Sequence, residues 1–315
     1  MALSSDRPQA LVLGGNGFLG KNLIELLVSE GWPVRAFVRD THHSVFPASV
    51  EVIHGDFVAG TGLREALDGV DVVYHLLSTS LPSESNTDPV DDVNSNLMAT
   101  LRLLDLMKFA NVKRIVYASS GGTVYGNPDV LPVPEAHPLR PISSYGIVKA
   151  AVESYLALYG KRDGLITNVL RISNPFGKYQ DRIGAQGVVS TFLYRLMHKQ
   201  PIEIWGDGST VRDYVYVPDV ARALLLAGLR TTSNTFNIGS GVGHSINDVL
   251  RILQEQTGMT GVVRYLPHQA FAVDQIYLDI SRAQTELGWS PQYTLESGCT
   301  SFYESLCRFD RALAA

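Results

Sequence analysis

The chain has 315 residues, 45% of them hydrophobic and 18% charged, and a net charge of −5. That length can bury a sizeable core in one large or two modest domains, and the acidic balance excludes the basic footprint of a nucleic-acid binder. Cys299 and Cys307 form neither a disulfide framework nor a metal spacing, which fits a reducing cytosol.

No segment approaches the ~18 uninterrupted apolar residues of a membrane span. The opening MALSSDRPQALVLGG lacks the charged region and apolar stretch of a signal peptide, so the expected location is the cytoplasm.

In chain order, short apolar runs alternate with longer periodic ones. ALVLGG (10–15) predicts a strand ending in glycines, and residues 20–31 a helix with Leu23, Ile24, Leu27 and Val28 on one side. Strands are expected at 34–40, 50–56 and 70–77, with a helix at 62–69. A helix over 96–110 carries Leu97, Leu101, Leu104 and Met107 on one stripe; a strand at 112–120, a helix around Tyr145 and a strand at 166–173 follow. Fully apolar strands alternating with helices predict βαβ units, and hence an α/β fold with a doubly wound parallel (Rossmann) sheet.

After residue 187 the rhythm loosens. A helix (188–199), a short strand from 201 and VRDYVYVPDVARALLLAG precede a mixed C-terminal region. The expected division is a dinucleotide-binding domain at 1–175, rejoined by a segment at about 215–240, and a smaller mixed α/β substrate-binding lobe over 176–315.

Gly14, Gly17 and Gly20 form G-x-x-G-x-x-G directly after a strand and at the opening of a helix. A pyrophosphate needs a tight turn, a backbone without Cβ atoms in the way and a helix N-terminus with free N–H groups, all of which this context supplies. The second strand ends Val38-Arg39-Asp40. Arg39 suits a 2′-phosphate and so inclines towards NADP, whereas Asp40 in reach of the ribose suits NAD. Asp56, after the third strand, either accepts from an adenine amino group or serves as a loop or helix-cap carboxylate. Tyr145 and Lys149 lie four apart on one helix face.

Taken together, the glycine loop, GDF, SSGGTVYG, SSYGIVK and RISNPFG resemble the extended short-chain dehydrogenase/reductases. Within them the chain is most similar to the nucleotide-sugar 4-epimerases of the NAD-dependent epimerase/dehydratase family. The resemblance runs through GDGSTVRDYVYVPDVARALLLA and FNIGSG to DISRAQTELGWSP.

It implies that Tyr145 is the catalytic acid/base and Lys149 its partner, with Ser120 or Thr123 supplying a hydroxyl. A neighbouring ammonium and a positive nicotinamide would lower the phenol from ~10 towards neutrality. The implied cofactor is NAD, held by Gly14, Asn16, Gly17, Phe18, Leu19, Gly20, Arg39, Asp56, Phe57, Leu76, Asn96 and Ser119 together with Tyr145 and Lys149. Asn174 and Arg212 fall on positions that hold a sugar diphosphate, and Arg212 suits phosphate by its fork geometry and permanent charge. Tyr214 is expected to pack, and Asp213 and Asp219 to shape their segment. His75 is expected at a strand end beside the cofactor, His42 and His43 have no metal spacing, and no metal is expected. The family also suggests a homodimer through helices 96–110 and the Tyr145 helix.

The chain departs from the epimerase pattern in two places and from the dehydratase pattern in one. The usual serine or threonine four residues before the tyrosine of VYG is Gly121. Dehydratase relatives carry Asp-Glu where Gly122 and Thr123 stand, so dehydration lacks its acid and base. An expected second diphosphate arginine is Gln269, beside His268. The expected activity is C4 epimerisation of a UDP-hexose or UDP-N-acetylhexosamine, for polysaccharide biosynthesis. The alternatives are an NADPH-dependent 4-ketoreductase of a nucleotide-linked deoxysugar, or a dinucleotide-binding regulator without turnover.

Overall fold

The computed structural model describes residues 7–39, 46–80, 85–180, 187–267 and 273–314, with side chains described to 308. Asp40, His42, His43, His268 and Gln269 lie outside the described residues.

Strands β1 (Ala10–Leu13), β2 (Val34–Val38), β3 (Val50–His54), β4 (Val72–His75), β5 (Arg114–Ser120), β6 (Ile166–Ile172), β7 (Asn174–Phe176), β8 (Ile202–Trp205), β9 (Val211–Tyr216), β10 (Asn234–Ile238), β11 (Gly243–Ser245), β12 (Val263–Leu266) and β13 (Gln275–Ile276) carry the sheets. The helices are α1 (Phe18–Ser29), α2 (Leu63–Ala66), α3 (Pro89–Asp92), α4 (Ala99–Phe109), α5 (Ser144–Asp163), α6 (Val188–Met197), α7 (Val217–Leu229), α8 (Ile246–Thr257), α9 (Ser281–Glu286) and α10 (Leu295–Ala314). A π-helical turn, Val93–Met98, joins α3 to α4.

Seven strands form one parallel sheet in the order β10-β6-β5-β4-β1-β2-β3. Successive strand residues point to opposite faces, so β1 sends Ala10 and Val12 into one core with α1 and α7, and Leu11 and Leu13 into a second beneath α2, α4 and α5. Apolar residues on both faces of each strand require helices on both faces, as the sequence pattern implies. A third core, including Phe176, Phe192, Leu193, Tyr214, Leu253 and Phe302, packs α6, α8 and α10 over β7, β8 and β9.

The strand order reverses between β1 and β4, and such a switch point opens a crevice at the carboxyl ends of the strands. The glycine loop follows β1 there, Leu76 follows β4, and Ser119 and Ser120 end β5.

Several boundaries differ from the sequence reading. The glycines leave β1 at Leu13, and α1 begins at Phe18 rather than residue 20. The expected 96–110 helix starts earlier. Asp88 accepts from the Asp91 N–H at 2.9 Å and Pro89 takes the first helical position, opening a helical run at 89 that loosens into the π turn before α4. Around Tyr145, Ser143 accepts from the Gly146 N–H at 3.2 Å to start α5, and left-handed Gly164 ends it after twenty residues.

Candidate active site

At the end of β1, Gly14 takes a left-handed φ of +85°, and a Cβ on Gly20 would lie 2.1 Å from the Gly14 carbonyl oxygen. The chain therefore closes against itself as only glycine permits. No side chain caps the N-terminus of α1, and its first turn holds no acidic residue. Bare N–H groups and the positive end of the helix dipole at a side-chain-free cradle fit an anionic diphosphate.

The predicted cofactor residues are placed unevenly around this cradle. Asn16 in the turn and Phe18 and Leu19 at the start of α1 are half-buried, and Gly17 is exposed. Arg39 is exposed, with no hydrogen bond or ion pair to the described residues. Asp56 accepts from the Ala59 N–H at 2.8 Å and so closes its own loop. Phe57 is buried against the His75 ring at 5.2 Å, Leu76 packs on the first core, and the Ser119 hydroxyl donates to Glu153 at 2.5 Å.

Tyr145, Lys149 and Asn96 meet in a small pocket with His75, Asp92, Thr100 and Tyr117. The Lys149 ammonium donates to the Ala118 carbonyl at 2.9 Å and lies 5.5 Å from the Tyr145 ring centre and 4.8 Å from that of Tyr117. Burial draws the lysine down to about 8, while Glu153 and Asp92 act to raise it.

The expectation for Tyr145 combined the Lys149 ammonium with a bound nicotinamide; the protein's own groups act differently. In the protein alone the phenol is pushed up to about 12 rather than lowered. Burial dominates, a hydrogen bond from the Ser120 hydroxyl pulls the other way, and the charge of Asp92 adds to the rise. The physical reason is that Lys149 turns its charge to a backbone carbonyl and two ring faces, so burial of the phenol prevails.

Gly121 explains the missing hydroxyl position. A Cβ there would lie 2.6 Å from the Leu278 side chain and 2.9 Å from the Arg171 carbonyl oxygen, so serine does not fit. Of the two substitutes, Ser120 reaches Tyr145, and the Thr123 Oγ1 is buried without a partner among the described residues. His75 is buried, and Thr100 gives its own hydroxyl proton to the Asn96 carbonyl at 2.6 Å. The imidazole Nε2 must then donate to Thr100 at 2.9 Å. Burial, assisted by Lys149, lowers His75 to about 3 and keeps it neutral.

Asp92 and Glu153 were missed by the sequence reading. Asp92, 2% exposed, accepts from Ser80 (2.6 Å), Asn96 (2.9 Å) and Ser144 (2.7 Å). Glu153 pairs with Arg171 at 2.7 Å, and Arg171 also donates to Tyr125 at 2.9 Å. The signal for Glu153 was present, since 145, 149 and 153 continue one helical row.

Asn174 and Arg212 converge on a separate cavity of about 270 Å³ shared with Tyr214, Thr210 and Ile246. Asn174 donates to the Asp213 carbonyl at 3.0 Å. The Arg212 guanidinium donates to the Val211 carbonyl at 2.8 Å, and no carboxylate lies within 4.0 Å of it among the described residues. Burial lowers its pKa, with Tyr214 and Asp274 acting the other way, leaving a half-buried cation without a direct ion pair among the described residues. The Tyr214 hydroxyl is buried and unpartnered in the same cavity. Asp213 accepts from the Ser240 (2.6 Å), Gly241 (3.2 Å) and Leu278 (3.2 Å) N–H groups. Asp219 accepts from those of Gln292 and Tyr293. Both carboxylates shape the chain.

A switch-point crevice with a glycine cradle and a Tyr-Lys pair defines a Rossmann-type enzyme that works on a bound dinucleotide. Residues 10–239 match the model of the NAD dependent epimerase/dehydratase family, and the chain belongs to that family. It is 32% identical to the UDP-glucose 4-epimerase of Mycolicibacterium smegmatis, over 94% of this chain and 97% of that one.

Among solved structures it is similar to a UDP-glucose 4-epimerase with UDP-glucose from Thermotoga maritima, with a TM-score of 0.91, 33% identity, and 96% and 99% of the two chains covered. It is also similar to the Thermus thermophilus UDP-glucose 4-epimerase in complex with NAD, with a TM-score of 0.88, 32% identity, and coverage of 94% and 98%. The cradle at Gly14 and Gly20 and the uncapped α1 fit the NAD that the family name implies.

Proposed function

We propose that this protein is a nucleotide-sugar C4 epimerase acting on a UDP-hexose or UDP-N-acetylhexosamine. The observation that carries the reading is the Tyr145 phenol in one pocket with Lys149, whose ammonium lies 5.5 Å from its ring centre, at the crevice beside the glycine cradle. When bound, NAD would supply the hydride acceptor and donor for C4, and its positive ring would favour the phenolate.

Tyr145 removes the C4 hydroxyl proton and later restores it. Ser120 steadies the charge on the tyrosine oxygen, with Thr123 as a second hydroxyl at the same turn. Lys149 supplies the fixed positive charge and donates to the ribose beside the nicotinamide. Arg212 pairs with the substrate diphosphate, and Asn174 donates beside it. The 2′-hydroxyl cofactor, NAD, is favoured over NADP by the family, and the exposed Arg39 is then a solvated side chain.

In this reading residues 1–175, with about 215–240, hold the cofactor, and the rest of 176–315 holds the sugar nucleotide. Met98, Phe109, Ile147, Tyr155 and Leu158 expose apolar surface on or beside α4 and α5, which supports a homodimer through these helices. No helix among the described residues is long and apolar enough to cross a membrane. The reading places the protein in the cytoplasm, supplying polysaccharide biosynthesis.

Incubating the purified protein with UDP-glucose and following UDP-galactose by proton NMR tests the activity. Tyr145→Phe should lower turnover by about 10²–10⁴. No interconversion of UDP-glucose or UDP-N-acetylglucosamine by NAD-loaded wild type would overturn the proposal.

A further inference from the structure

Lys149 is 5% exposed, and in the described residues it has no carboxylate within 4.0 Å. The groups around it are Tyr145 and Glu153 on its own helix, Tyr117 on β5, His75 on β4 and Asp92 on α3, with Arg171 of β6 behind Glu153. His75 is neutral, and both tyrosines stay protonated at neutral pH.

That leaves two carboxylates. Glu153, whose charge raises Lys149 the most, offers both its oxygens to Arg171, at 3.2 Å to one and 2.7 Å to the other, so Arg171 offsets part of its pull. Asp92 meets only neutral donors, Ser80, Asn96 and Ser144, and has no cation within 4.0 Å among the described residues. A buried carboxylate without a counter-ion is costly, and here Lys149 lines the same pocket as Asp92.

We propose that Asp92 is a positioning residue of the reaction. Its carboxylate keeps Lys149 an ammonium and, through Ser144, ties the first turn of the Tyr145 helix to the turn at Ser78–Ser80. The inference deepens the epimerase reading and rests on it for its consequence. Without Asp92 the lysine would lose its proton in the working pH range, and with it the charge that faces the tyrosine and donates to the cofactor ribose.

The test uses the protein without substrate or added cofactor, so a failed epimerase assay leaves it standing. Lysine labelled with ¹³C at Cε is titrated by NMR from pH 5.5 to 10, and Lys149→Arg identifies the signal. Wild type should titrate near 8. Asp92→Asn, which keeps the shape and one acceptor oxygen but removes the charge, should lower the midpoint by about one unit, and Asp92→Glu should restore it. Ser144→Ala breaks the tether and keeps the charge; it should lower the melting temperature and leave the midpoint in place. Should Asp92→Asn fail to fold, Asp92→Ser is smaller, equally neutral and read the same way. An unshifted midpoint in the neutral variants, or an equal shift in Ser144→Ala, would refute the proposal.

Discussion

The buried Glu153–Arg171 pair should be the most fragile support of the site. Both side chains are less than a tenth exposed, and Arg171 donates to both carboxylate oxygens while holding Tyr125 and the Glu135 carbonyl. Glu153→Gln keeps the volume but strands a buried guanidinium, which costs about 3–5 kcal/mol. For a chain of this size that predicts a fall in melting temperature of order 10 °C. The double variant Glu153→Leu with Arg171→Met removes both charges and should recover most of the loss.

Thermal melts of the three proteins, followed by circular dichroism, give the result directly. A shift of under ~2 °C for Glu153→Gln would show that water reaches Arg171 and that the pair is not a dry one. The two single losses should not add, because both break one interaction. The Ser119 hydroxyl donates to the same Glu153, so the end of β5, which carries the Ala118 carbonyl that holds Lys149, should loosen with it.

Gly20→Ala puts a Cβ 2.1 Å from a backbone oxygen that cannot withdraw; the variant should emerge from purification without NAD, and stoichiometric NAD in the denatured protein would contradict the cradle. Arg212→Ala should weaken UDP binding by about 10- to 100-fold, the worth of a charge-assisted contact, with Arg212→Lys recovering only part; unchanged titration calorimetry would mean that the guanidinium keeps its carbonyl partners in the complex. Lys149 has a folded pKa of about 8 against an ordinary 10.5. Below pH 8 both states carry the proton; between 8 and 10.5 only the unfolded chain does, so stability should rise with pH by up to about 3 kcal/mol. Denaturation of wild type and Lys149→Met across that range should show the rise in wild type alone.

The sheet and its cofactor crevice were legible because they depend on local pattern. Ala10–Leu13 is apolar at every position, so both faces had to be covered, and three spaced glycines between a strand and a helix admit few other uses. Tyr145 and Lys149 were legible through helical spacing. Asp92 was not. Asp88, Asp91 and Asp92 crowd one short stretch, and only a contact with Ser144, fifty-two residues away, singles out the last. The reason for Gly121 was hidden for a similar cause, because the atoms that exclude a side chain belong to Leu278 and Arg171. The protein's own pull on the Tyr145 phenol was not legible, because spacing places Lys149 nearby yet does not say where its ammonium points.

Helix α5 shows what such a site demands of a fold. Its buried side includes Ser144, Lys149 and Glu153, three polar groups whose desolvation opposes folding. Each is answered from a different element: Asp92 on α3, the Ala118 carbonyl on β5, and Arg171 on β6. Apolar residues could serve as well or better for stability at the Glu153–Arg171 pair, but they would remove one of the two carboxylates that act on Lys149. Tyr145, at the half-buried start of the row, keeps its phenol towards the crevice. The helix is therefore held by polar contacts to three neighbours at once, and that fixes the angle at which phenol and ammonium meet a substrate. Loss of the Ser144 contact should therefore show in the melting temperature, and loss of the charge on Asp92 in the protonation of Lys149.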